Sequence, residues 1–182
     1  FPNPFPGITT VAVDKAGDWI VVGTSAGQLH QLVTSSVDGL DQFQQRDAIN
    51  RSHRPIHAGH SGEIASVKFS DNEGLLGTLG TDNTVRLWIR GPSTPSGSAP
   101  PNPIPAPRCI AVRPGGQSAL VGTEKGLTEV GLDGLTSLRE VALDGGVIDV
   151  SPLPDGRAVV CTGRNKVLVL NADLSHPEED SG

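Results

Sequence analysis

Residues 59–88 read GHSGEIASVKFSDNEGLLGTLGTDNTVRLW, three apolar runs separated by two turns, and weaker copies of the same pattern recur along the chain. A recurring unit decides the architecture, because each copy is one supersecondary element that must bury its faces against the next. The first runs are Val11-Ala12-Val13, Val67-Lys68-Phe69, Ile110-Ala111-Val112 and Ile148-Asp149-Val150, each followed by a turn. The second runs are Trp19-Ile20-Val21-Val22, Leu75-Leu76, Ala119-Leu120-Val121 and Ala158-Val159-Val160. A Gly- or Asn-bearing turn then leads to third runs at 29–33, 85–89, 127–130 and 167–170. The last residues of the first runs step by 56, 43 and 38 positions, bracketing the roughly 40–45 residues of a propeller blade.

The second runs are apolar at successive positions, the mark of a strand covered on both faces. The third runs tend to alternate, with the polar His30, Arg86 and Glu129 set among apolar residues, which predicts a strand nearer solvent. Asp38-Gly39, Asp133-Gly134, Asp144-Gly145 and Asp155-Gly156 supply turn chemistry, since Gly accepts positive φ and Asp bonds its own backbone. The expected units are 8–58, 59–90, 108–143 and 145–171, within a domain of residues 8–175. Residues 1–7 read as a Pro-rich strap and 176–182 as an acidic tail. The polar interval after residue 33 can hold a weak outer strand or a loop. Residues 91–107, with seven prolines, are a polyproline-like insertion that replaces or precedes the outer strand of the second unit.

In the second unit Gly59-His60, Thr78, Asp82 and Trp88 sit as they do in the WD-repeat family of β-propellers, which this stretch resembles. The resemblance implies an all-β fold, a propeller of four-stranded antiparallel blades with about four blades present, part of a larger ring. It also implies a structural hydrogen-bonded tetrad of His60, Thr78, Asp82 and Trp88, with Ile89 in place of the Asp that gives the family its name. The other units keep the strands and lose the network: Val22, Ala26 and Leu32 stand in the first, and Arg164 and Leu170 in the fourth. Val22-Gly23-Thr24 and Val121-Gly122-Thr123 look like the divergent propellers of microtubule-associated WD proteins.

Composition narrows the function. The 182 residues bury enough surface to need no disulfide or metal staple. A net charge of −6 without a Lys/Arg cluster argues against nucleic-acid binding. No apolar run approaches a membrane span and no signal peptide is visible, so a soluble, cytoplasmic chain without membrane contact is expected. The absence of Met at position 1 reads as excision from a longer precursor. Cys109 and Cys161, each in an apolar run, read as buried thiols.

Gly23-Thr24-Ser25-Ala26-Gly27 fits a nucleophile elbow, but that motif needs a helix after the Ser, and strand-like residues follow here. His53, His57 and His60 lack a partner Cys or carboxylate at metal-ligand spacing. Asn50-Arg51-Ser52 is a glycosylation pattern only for a secreted chain. The aspartates before Gly have a turn reason to be where they are. The expectation is therefore no catalytic residue, no cofactor and no metal. Together with this, the resemblance to WD-repeat propellers implies a non-enzymatic protein-interaction scaffold within a larger complex, with other proteins as partners and with the missing blades supplied by the rest of a parent chain or by a neighbour. A structural component of a cytoskeletal or other large assembly, and a hydrolase working in a propeller funnel, are the alternatives. Partner binding is expected on two loops, around Asp38, Gln42 and Arg46 and around Pro100, Pro101 and Pro103. The first and last sheets are expected to leave apolar faces in need of cover.

Overall fold

β-branched and Leu-rich runs punctuated by Gly, Asn and Asp fold, among the described residues, into 15 strands in four antiparallel sheets that share no strand. The computed structural model describes residues 7–34, 39–41, 44–45, 54–56, 60–70, 75–89, 102–104, 106–131 and 137–175. The first sheet is β1 (Ile8–Val13), β2 (Trp19–Thr24), β3 (Leu29–Val33) and β4 (Arg54–Ile56). The second is β5 (Ile64–Phe69), β6 (Leu75–Gly80), β7 (Thr84–Ile89) and β8 (Asn102–Pro103). The third is β9 (Pro107–Val112), β10 (Ser118–Thr123), β11 (Gly126–Gly131) and β12 (Ser137–Ala142). The fourth holds β13 (Val147–Pro152), β14 (Ala158–Thr162) and β15 (Val167–Leu170), three strands among the described residues where four were expected.

Within each sheet the strands follow chain order, so every connection is a hairpin. Gly27, Asn83 and Asn165 close the second hairpins of the first, second and fourth sheets with φ of 77°, 60° and 59°, the left-handed conformation that Gly and Asn tolerate best. Each innermost strand carries one register irregularity near its start, between Ile8 and Thr10, Ile64 and Ser66, Pro107 and Cys109, and Val147 and Asp149. The shared bulge and the cross-strand partners fix which residues are equivalent from blade to blade. They correct one alignment: Val150 pairs with Val160 as Val67 pairs with Thr78, so the fourth copy of the first run is Val150-Ser151-Pro152. The apolar Ile148, which suggested the earlier frame, lies at the bulge and is exposed.

The sheets pack in sequence through their innermost strands, β1 and β2 on β5, β5 and β6 on β9, β9 and β10 on β13. Three apolar clusters fill the three joints. Val21 and Leu29 meet Ile64, Val67, Leu76 and Trp88 in the first. Leu79, Val85 and Leu87 meet Ile110, Val112 and Val121 in the second, and Leu120 and Leu127 meet Val147, Val150 and Val160 in the third. Each such side chain, fully buried, contributes about 1.5–3 kcal/mol. The middle strands β6 and β10 are buried along their whole length, as a strand between two neighbours must be. Among the described residues the first and fourth sheets form no comparable joint, so these residues make an unclosed propeller of four sheets.

Two further segments seal the joints. The chain returns from the Pro-rich insertion as β8, which pairs with Thr84 and Val85 of β7. Ile104 then plugs the second joint, 4% exposed. After β15 the chain turns back and buries Leu174 in the third joint. In the first three sheets the third strands are less exposed than alternation suggested: His30 and Glu129 are buried and Arg86 is half-buried. A third strand is interior to a four-stranded blade, flanked by the second and fourth strands, so alternation there reports the two neighbouring blades and not solvent.

Candidate functional site

The second blade brings His60, Thr78, Asp82 and Trp88 together. His60 precedes β5, Thr78 is central in β6, Asp82 sits in the β6–β7 turn and Trp88 lies on β7. The Trp88 indole Nε1 donates to Thr78 Oγ1 at 3.0 Å, and Thr78 Oγ1 lies 2.9 Å from His60 Nε2. His60 Nδ1 is 3.0 Å from Asp82 Oδ1. The ionised Asp82 can only accept, so the His60 proton sits on Nδ1; Nε2 then accepts from the Thr78 hydroxyl, whose oxygen accepts from the indole. Asp82 also accepts from Thr84 Oγ1 at 2.7 Å and from the Ser61 backbone N–H at 2.8 Å. Thr84 and Ser61 were not singled out in the sequence. The Asp-x-Thr spacing, in which a carboxylate bonds a hydroxyl and an N–H two residues on, is the signal that finds Thr84.

Electrostatics agree with this proton placement. Burial pushes the His60 pKa below its ordinary value, outweighing the hydrogen bond and charge of Asp82, so the imidazole is neutral at pH 7. For Asp82 burial acts upward, but hydrogen bonds from Thr84, His60 and Ser61 prevail and hold the carboxyl well below the usual carboxylate range. The chain Trp88–Thr78–His60–Asp82 thus has every proton committed to an internal partner. It fastens the first strand and a tight turn to the third strand, a structural task.

A second buried polar group lies at the outer part of the third joint and has no counterpart in the sequence reading. Arg113 Nε meets Glu129 Oε1 at 2.9 Å, and Ser118 Oγ donates to the same oxygen at 2.6 Å. Arg113 also donates to the carbonyls of Gly156 and Ala172, across the joint in the fourth blade. Arg139 reaches the Ala172 carbonyl at 3.1 Å. Paired in this way, Arg113 and Glu129 can be 8% and 6% exposed, since a buried charge is tolerated only when paired and hydrogen-bonded. Only the charged residues placed in otherwise apolar strands hinted at it.

The other candidates separate. Ser25 lies in the β2–β3 hairpin, where its backbone N–H donates to the Gly7 carbonyl at 2.7 Å, and strand β3 follows in place of a helix. The Val-Gly-Thr strings have a local account: Gly23 and Gly122 stand where a Cβ would come 2.7 Å from Ile64 and Val147 of the next blade. Thr24 and Thr123 bond the turns that follow. Asp155 is exposed and pairs with Arg157. Cys109 is buried, its thiol pushed up to about 11 by burial, while Cys161 is half-buried. Among the described residues no group of three or more His, Cys, Asp or Glu could hold a metal. No helix among them is long and apolar enough to cross a membrane. Asp38, Gln42, Arg46, Pro100, Pro101, His53, His57, the 50–52 sequon and the acidic tail lie outside the described residues; Pro103 is on β8.

At the two ends of the arc apolar side chains stand bare. Ile8, Val11 and Val13 on β1 are 55%, 58% and 53% exposed, and Val167 on β15 is 67% exposed. These are the uncovered faces that four divergent units led us to expect.

Residues 53–88 match the family model described as WD domain, G-beta repeat. No curated protein matches the chain by sequence. Among solved structures, the computationally designed Ika4 protein superposes with a TM-score of 0.66 at 18% identity, over 92% of each chain. The computationally designed Ika8 protein gives 0.66 and 18% over 91% of this chain and 46% of its own. The WD40 β-propeller domain of Doa1 gives 0.64 and 14% over 89% and 50%. The chain therefore spans about half the length of the last two. Residues 53–88, which carry the tetrad, are similar to a WD repeat, and the chain as a whole has a β-propeller fold.

Proposed function

We propose that this chain is a non-enzymatic protein-interaction scaffold that works within a larger complex. The observation that carries the reading is the division of labour in the second blade. The WD repeat spends its polar residues on the His60–Thr78–Trp88 and His60–Asp82 bonds, and the strands spend their apolar residues on the joints. What remains for recognition is the loop surface, and propellers of the WD40 kind generally serve as protein-interaction scaffolds. The partners are other proteins, met through the loops at 38–50 and 91–107. A cytoplasmic setting fits the two free cysteines.

The test is affinity capture with the folded chain and with a variant scrambled at residues 38–50 and 91–101, which leaves β8 and Ile104 intact. The scrambled variant should keep its far-ultraviolet strand signal and lose the partners that the parent retains. Undiminished capture by the scrambled chain would remove binding from these loops and overturn the reading.

A further inference from the structure

The three joints inside the arc are built from equivalent positions. Ile64 and Val67 on β5, Ile110 on β9, and Val147 and Val150 on β13 present the leading face of each blade to the blade before it, and all are at most 6% exposed. By register Ile8 and Val11 hold the same places on β1, where they are 55% and 58% exposed. The trailing face repeats as well. Leu29, Val85 and Leu127, each opposite the penultimate residue of its second strand, are at most 1% exposed. Val167, their counterpart opposite Cys161, is 67% exposed. The chain thus carries both halves of a fourth joint, one at each end of an arc that does not close on itself.

We infer that two copies of this chain associate head to tail, the Val167 face of each copy's fourth blade covering the Ile8 and Val11 face of the other's first blade. The occupant is a second copy because the missing surface on each side is the surface the chain already bears on the other, continuous with a joint used three times within it. A two-fold arrangement makes both joints at once and leaves no half-joint open, whereas one joint alone would leave the remaining faces to recruit further copies. Eight blades result, within the range of roughly four to eight that propellers adopt. The association goes beyond the loop-borne binding proposed above and is tested separately from it.

The internal joints also say which atoms meet. Gly23 faces Ile64 and Gly122 faces Val147 across their joints, each with 2.7 Å from a constructed Cβ to the neighbour's side chain. Cys161 holds the position of Gly23 and Gly122, and Ile8 that of Ile64 and Val147. Cys161 of one copy should therefore lie against Ile8 of the other. With Ile8→Cys, mild oxidation should give a disulfide-linked species of twice the 18.9 kDa chain mass, bonded between position 8 and Cys161 and abolished by adding Cys161→Ser. A bond formed within one chain would mean that the arc closes on itself, and would overturn the inference, as would no bond at all.

Two single variants give an independent reading. Val11→Asp and Val167→Asp lie at exposed positions, so both should keep the parent strand signal while sedimenting as monomers, where the parent sediments as a dimer. Mixing them should restore a dimer, because one of its two joints then has parent residues on both sides. A parent that is monomeric at every concentration, or a mixture that fails to recombine, would contradict head-to-tail pairing.

Discussion

Gly122 of the third blade lies so close to Val147 of the fourth that a Cβ added to it would stand 2.7 Å from the Val147 side chain. No rotation of Gly122 itself relieves this, since the clash is with its first side-chain atom. Gly122→Ala should destabilise the chain by about 1–3 kcal/mol through overpacking, and Gly23→Ala, against Ile64, by a similar amount. Urea unfolding checks it; unchanged midpoints would mean that the joints are looser than described.

Trp88→Ala should be among the most damaging substitutions, about 3–5 kcal/mol, because it empties a large buried site in the first joint. Asp82→Ala strips acceptors from His60, Thr84 and Ser61 together and should cost about 1–3 kcal/mol. Asp155→Ala, in an exposed turn, should unfold much as the parent does. Thermal or urea midpoints of the three variants test the ranking.

How much of this was legible follows from what each residue reports. The WD stretch was readable because His60, Thr78, Asp82 and Trp88 are polar groups whose spacing has one structural use. The buried middle strands were readable because Ile20-Val21-Val22 and Leu120-Val121 leave no polar face. The fates of His30 and Glu129 were not, since alternation tells two faces apart without saying what covers either. Glu129 can be buried because Arg113, just after β9, and Ser118, on β10, reach it, contacts that no local pattern encodes. The fourth copy was misframed by two residues because Pro152 hides the strand's end while Ile148 mimics a core residue at its bulge.

The pH dependence of stability should carry a His60 component. Its folded pKa lies below the ordinary 6.5, so the unfolded chain takes up a proton first as pH falls. The stability contributed by the neutral imidazole is complete above about 6.5 and drains away as pH drops towards the folded value. Asp82, also depressed, adds stability that is present above about 3.8 and is lost at still lower pH. His60→Gln should be less stable than the parent at pH 7, with a flatter profile between pH 7 and 5. Parallel profiles would show that His60 does not titrate as described.

Cys109 should resist modification in the folded chain. Burial pushes its thiol up to about 11, leaving little thiolate at neutral pH, and the thiolate is the reactive form. A thiol reagent at pH 8 should leave Cys109 unlabelled until denaturant is added, as peptide mass analysis would show. Rapid native labelling would contradict its place in the third joint.

The second blade's network is a bonded unit, and a double-mutant cycle of Thr78→Val and Trp88→Phe measures that directly. Val keeps the shape of Thr without the hydroxyl, and Phe keeps an aromatic ring without the indole N–H. Because Trp88 Nε1 and Thr78 Oγ1 are 3.0 Å apart and buried, the two losses should overlap. The double variant should be more stable than the sum of the single effects allows, by about 0.5–3 kcal/mol. Strictly additive unfolding energies would mean that Thr78 and Trp88 are not hydrogen-bonded, and the WD network would be wrong.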